Sequence, residues 1–122
     1  MNYTRLYSDE HGDSHFEDVE VELALTDFAP PAPPLRLSGF TDAKRFGFLS
    51  APPGWHGDWH PAPTKQIFSY LYGEIEAQTS DGEVRIFGPG SVTLLEDTTG
   101  KGHTFRVVGT EEVLVAVVQL EG

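Results

Sequence analysis

An all-β barrel of the double-sheet, jelly-roll kind is the fold class this sequence predicts, and three observations predict it. Short runs rich in Val, Ile, Phe, Tyr and Leu recur along most of the 122 residues, each closed by Gly, Pro, Asp or Ser. Nothing shows the 3.6-residue periodicity of a long amphipathic helix. Many short strands in one small domain suggest a sandwich or a barrel, and closure best removes exposed sheet edges.

Before the Pro-rich stretch Ala29-Pro30-Pro31-Ala32-Pro33-Pro34, residues 3–7 and 15–23 read as two strands of an N-terminal arm suited to pairing on a sheet edge. The stretch itself lacks backbone donors and has fixed φ angles, so an extended, semi-rigid connector is expected there. The division is therefore 1–34 for arm and connector packed on the barrel, and 35–122 for the barrel. Barrel strands are expected at 43–50, 66–72, 74–79, 84–87, 91–95, 103–108 and 112–120, with turns at Ser80-Asp81-Gly82, Pro89-Gly90 and Gly109-Thr110. The stretch Trp55-His56-Gly57-Asp58-Trp59-His60 reads as a loop because of Gly57 and the nearby prolines.

Composition narrows the function classes. Eight basic against 19 acidic residues give a formal net charge of -11 without a Lys/Arg cluster, so phosphate backbones and anionic membranes would be repelled and no nucleic acid or membrane partner is expected. With no cysteine, thiolate catalysis and Cys-ligated zinc are unavailable, and a metal would need His, carboxylate or amide ligands. The N-terminus has no basic segment followed by an apolar run, so the expected location is the cytoplasm.

The residues from Trp55 to His103 carry a family pattern. Gln66 stands ahead of Gly73 with six residues between, His60 precedes it, Gly88-Pro89-Gly90 forms a turn, and Asp97-Thr98-Thr99-Gly100-Lys101-Gly102-His103 ends on a histidine. This resembles the two motifs of the cupins, GX5HXHX3-4EX6G and GX5PXGX2HX3N. Gln66 takes the place of the usual Glu, Ala62 the place of the second His, and Glu96 the place of a Pro, while the stretch before His103 is about two residues longer. The whole chain is similar to small single-domain bacterial cupins that carry this Asp97-to-His103 stretch. The resemblance implies a double-stranded β-helix with its site at the barrel mouth, a family in which homodimers are common, and activities too varied to choose among from the fold.

Strand parity sharpens that site. Gln66, Phe68, Tyr70 and Tyr72 share one face of their strand, and His103, Phe105 and Val107 one face of theirs, which pairs a polar mouth with an apolar floor. Phe46 and Phe48 are expected to add to the floor, and Trp55 and Trp59 to line an entrance, cap the barrel or meet a partner. His60, Gln66 and His103, with His56 as a further candidate, are the expected ligands of a divalent Zn, Fe, Mn or Ni ion. Without metal, His60, Tyr70 and His103 are the acid–base candidates. Asp97 and Lys101 read as solvated loop residues, though Lys101 between two glycines has a geometry able to reach an anionic substrate group. His11 and His15 belong to an acidic surface turn.

Two functional readings follow. One is an enzyme acting on a small polar or carbonyl-containing metabolite through metal or His/Tyr chemistry. The other is a non-catalytic binding or sensing module in which the altered first motif reflects lost metal chemistry. For either, the expected partner besides the small molecule is a second copy, with the arm exchanging onto its neighbour's sheet edge.

Overall fold

The computed structural model describes residues 1–121. Its strands are β1 (Asn2–Ser8), β2 (Ser14–Glu20), β3 (Ala24–Thr26), β4 (Leu35–Leu37), β5 (Arg45–Ala51), β6 (His56–His60), β7 (Gln66–Tyr72), β8 (Glu74–Thr79), β9 (Val84–Phe87), β10 (Val92–Leu95), β11 (His103–Val108) and β12 (Val113–Gln119). A six-stranded sheet in the order β2-β1-β10-β7-β12-β5 faces a four-stranded sheet in the order β6-β11-β8-β9, and β3 and β4 pair as a separate ribbon. The fold is all-β among the described residues, as the sequence predicts.

Alternation builds the core. Along β7, Gln66, Phe68 and Tyr70 are buried while Ile67 and Ser69 between them are not, and β8 and β11 repeat the pattern with Ile75, Ala77, Phe105 and Val107. Aromatic rings join the sheets: Tyr70 stacks on Phe87 at 5.6 Å between centroids, and Phe68 meets Phe105 at 6.2 Å. Between β7 and β8 the chain crosses from one sheet to the other at Gly73. Its φ is +72°, and a Cβ there would lie 2.2 Å from the Glu112 carbonyl oxygen, so only glycine fits this corner.

Three local expectations are corrected. The proline run is no extended connector: Ala32 N–H donates to the Ala29 carbonyl at 2.9 Å, closing a turn that joins β3 to β4. Prolines 33 and 34 then lead into β4 at its start, where a missing donor costs little. The expected second strand of the arm stops at Glu20 rather than 23, and β1 pairs parallel with β10, so residues 2–20 form part of the large sheet. The stretch at 55–60 is a strand and not a loop, because β11 offers it a free edge to pair with.

Candidate active site

β6 decides which of its side chains can take part. Its register against β11 pairs His60 with His103, Gly57 with Phe105 and His56 with Arg106. Three steps along β6 thus match two along β11, which is a bulge that reverses the face of everything beyond it. Consequently His60 turns to the interior, while His56, Asp58 and Trp59 line a polar groove on the outer surface with Glu76 and Arg106. The expectations that His56 joins a ligand set and that Trp59 lines the pocket are both corrected by this bulge. Trp55 is the tryptophan that lines the interior cavity, and its ring lies where a Cβ on Gly57 would be, 2.7 Å away.

That cavity has a volume of about 330 Å³, and His60, Gln66, His103, Phe68 and Phe105 all line it. Its remaining wall is nearly all apolar, with Leu49, Ile75, Leu95 and Val113 prominent and no Lys or Arg. Phe48 is not among the lining residues, being 67% exposed on the outer face of β5. The pairing of β5 with β12 sets Phe48 opposite Ala116 and Phe46 opposite Val118, so Gly47, Leu49 and Ala51 face inward instead. Parity along β5 is therefore opposite to that expected.

Tyr70, an expected acid–base residue, lies outside the cavity in the packed core. It is 2% exposed, and its hydroxyl pairs with the Thr93 hydroxyl at 3.2 Å. Burial pushes the phenol well above its ordinary value despite that hydrogen bond, which leaves Tyr70 a weak acid with no access to a ligand.

His103 is held by a group the sequence had placed in solvent. Asp97 is fully buried, and its Oδ2 lies 2.5 Å from His103 Nδ1; its other oxygen, Oδ1, has no hydrogen-bond partner among the described residues. The correction has a physical reason in the loop. The Asp97 carbonyl accepts from Ala62 N–H at 2.9 Å, and the Gly102 carbonyl accepts from the Ser14 hydroxyl at 2.6 Å, so the 97–103 segment is tied down at both ends. Gly102 passes so close to β6 that a Cβ would lie 1.9 Å from the His60 carbonyl oxygen, and its φ is +74°. Lys101 points away from the cavity to an ion pair with Asp13 at 2.8 Å.

His60 completes the polar end. Its Nδ1 lies 2.6 Å from the Asp58 carbonyl oxygen, and its ring sits 4.9 Å from that of His103, tilted by 57°. A ring nitrogen facing a carbonyl oxygen, like one facing a carboxylate, must carry the proton, so Nδ1 of each ring is the donor and Nε2 of each remains as acceptor. Both imidazoles thus belong to one tautomer, fixed by the groups behind them.

The donor set bears on the expected metal. Two imidazole nitrogens are present, but the Gln66 amide oxygen already accepts from Gln119 Nε2 at 3.2 Å. Among the described residues no group of three or more His, Cys, Asp or Glu side chains gathers. Three protein ligands are the norm for a catalytic metal centre; two nitrogens and an engaged amide do not make that set.

Elsewhere, His15 sits between two carboxylates, Asp9 at 2.7 Å and Asp81 at 3.0 Å. The Asp9 hydrogen bond, aided by Asp81, raises the imidazole above its ordinary value. This cluster locks the β1–β2 turn to the β8–β9 turn and lies apart from the cavity.

No protein-family model and no curated protein sequence matches the chain. Solved structures do. The Schizosaccharomyces pombe Cnp3 cupin domain aligns over 99% of this chain and 88% of its own, with a TM-score of 0.53 at 15% identity. The DMSP lyase DddQ from Ruegeria pomeroyi aligns over 82% of this chain and 47% of its own, with a TM-score of 0.54 at 20% identity. The protein TT1209 from Thermus thermophilus aligns over 83% of this chain and 86% of its own, with a TM-score of 0.51 at 14% identity. At such identities the likeness concerns the fold: two facing β-sheets without helices, in the arrangement of these structures, make this chain a cupin-fold protein.

Proposed function

We propose that the cavity binds a small, uncharged, mostly apolar molecule and that His103 moves a proton on it as general base, with Asp97 as its positioning residue and His60 beside it. The observation that carries this reading is the buried Asp97–His103 pair, 2.5 Å apart, at the polar end of an otherwise apolar cavity of about 330 Å³. A carboxylate behind Nδ1 fixes the tautomer and stabilises the imidazolium that forms when Nε2 takes a proton. With two acceptors at the polar end, the ligand is expected to present an O–H, N–H or acidic C–H there. The absence of Lys and Arg from the wall disfavours phosphorylated or carboxylate ligands, which would be desolvated without a counter-charge. No step is routed through a metal ion, because the donor set falls short. The 97–103 stretch that resembles the second cupin motif supplies both members of the pair.

A second reading, binding without catalysis, draws on Gln66, whose amide is committed to Gln119 rather than to the cavity. One experiment separates the two. Trp55 lines the cavity and Trp59 does not, so a Trp59→Phe variant makes Trp55 the sole tryptophan reporter. Titration with small uncharged carbonyl and hydroxyl compounds is expected to change its emission saturably, and Ala51→Leu, which narrows the cavity, to weaken the response. Solvent deuterium incorporation into the bound compound, lost in His103→Asn, marks catalysis; saturable binding without exchange marks the second reading. If no compound gives a saturable change, both readings fail. Chelator is expected to alter neither result, and a chelator-sensitive signal would restore the metal.

A further inference from the structure

The outer face of the six-stranded sheet carries a broad apolar surface. Its register aligns Phe46, Val118, Ile67 and Leu94 in one row across four strands, and Phe48 opposite Ala116 begins the next. Neither row contains an ionisable group until Arg5 on β1, which stands opposite Leu94 and pairs with Glu96. Phe46 and Phe48 are 66% and 67% exposed and pack edge to face at 5.1 Å. Beside them the β3–β4 ribbon and the segment after it expose Leu25, Phe28, Leu35 and Phe40, with the Phe28 and Phe40 rings 6.1 Å apart. A two-stranded ribbon alone is marginally stable in water.

From these observations we propose that this face is a self-association surface, on which a second copy of the chain packs with two-fold symmetry while each ribbon closes over the rim. Charge selects the occupant. In a chain of net charge -11, residues 21–49 carry three acids (Glu22, Asp27, Asp42) and three bases (Arg36, Lys44, Arg45). Two like-charged copies therefore meet here without bringing carboxylates together, whereas the outer face of the four-stranded sheet sets Glu74 and Glu76 beside each other on β8. Area agrees. The four exposed phenylalanine rings present on the order of 500 Å² per chain. Two copies thus cover on the order of 1,000 Å² from rings alone, the lower bound for a specific interface, before the aliphatic rows are added. The same strand that carries Phe46 and Phe48 outward carries Leu49 and Ala51 into the cavity, so pairing also stiffens the cavity wall. This surface takes the place of the exchanged N-terminal arm expected from the sequence, whose strands β1 and β2 already lie in the chain's own large sheet.

The test is the mass in solution of the full chain, by sedimentation or light scattering. At about 100 μM, where a micromolar Kd leaves mostly dimer, twice the 13.4 kDa chain mass is expected. Phe46→Glu/Phe48→Glu is expected to halve that mass with an unchanged circular dichroism spectrum, and Val84→Glu/Ile86→Glu, on the opposite sheet, to leave it dimeric. A monomeric wild type, a dimer that survives the Phe46/Phe48 change, or one broken equally by the Val84/Ile86 change would each overturn the proposal. Should the double glutamate variant fail to fold, Phe48→Cys supplies the chain's sole thiol. A bismaleimide is then expected to yield a covalent dimer, and its failure to do so overturns the proposal by the same measure.

Discussion

At one end of the barrel the inward face of β7 presents Tyr70, stacked on Phe87, which in turn meets Phe16 edge to face at 6.0 Å. At the other end the same face presents Gln66 to a cavity of about 330 Å³ shared with His60 and His103. Both stretches obey one alternation, so parity alone does not make a site. What separates them is filling. Large rings from both sheets occupy the closed end, while Ala51, Ala62 and Val113 leave space at the open one. The polar groups differ too: Tyr70 is satisfied by Thr93 and has nothing left to offer, whereas His103 is satisfied at Nδ1 and keeps Nε2 free. A buried polar group becomes functional when its partner fixes it without exhausting it.

Breaking the closed end is expected to have the largest effect. Tyr70→Ala removes a fully buried ring from the stack and should cost roughly 3–5 kcal/mol in denaturant unfolding, the usual range for deleting a core aromatic. If the ends are independent, any Trp55 binding signal should persist in the fraction still folded. At the open end, Gly102→Ala sets a Cβ against the His60 carbonyl oxygen in a left-handed conformation. A loss of roughly 3 kcal/mol is expected, together with displacement of His60 visible as a changed imidazole environment by NMR.

Asp97→Asn keeps the shape but takes the fixed charge from behind His103. Proton transfer is expected to fall about 100-fold, equivalent to about 2.7 kcal/mol. The 15N shifts of His103 should also report a changed tautomer balance, which a merely structural role would leave alone. Tyr70→Phe, by contrast, costs only the hydrogen bond to Thr93, about 1 kcal/mol, and should leave proton transfer unchanged. A catalytic loss there would contradict the division between the two ends.

The smallest effect belongs to the His15 cluster, outside both ends. Because its pKa is raised in the folded state, its stabilising share is complete below the unfolded value of about 6.5 and is lost as pH rises through the folded value. Its partners shift the other way. The His15 hydrogen bond lowers Asp9; at Asp81 burial opposes the shift, but hydrogen bonds from Thr79, the Glu83 amide and His15 outweigh it. Their share is present above about pH 4 and is lost as pH falls through their folded values. Thermal unfolding of the wild type should therefore weaken slightly above neutrality, and His15→Gln should remove that slope.

Much of the strand pattern was legible in the residues. The bounds of β7, β8, β9 and β11 follow from alternation between Gly, Pro and Asp punctuation, because a half-buried strand with its own turn signals needs nothing distant to define it. β6 was not legible, since Gly57 and the flanking prolines resemble a loop until β11 supplies an edge. Asp97 was misread for a related reason: a carboxylate in a Gly-rich stretch looks solvated unless Ser14 and Ala62, far away in the chain, are seen to hold that stretch inside. Its spacing of six residues before His103 was the one available signal.

By itself the sequence determined which segments become strands, which side chains of each share a face, and that imidazoles and an amide come from three of the segments resembling a known motif pair. Only the tertiary structure decided which face is inside. On β5 and β6 a pairing partner and a one-residue bulge set that choice, turning Phe48, His56 and Trp59 outward and bringing Trp55 and Asp97 in. Alternation is a local property of the backbone, but its phase relative to the core is set by hydrogen bonding to strands remote in sequence.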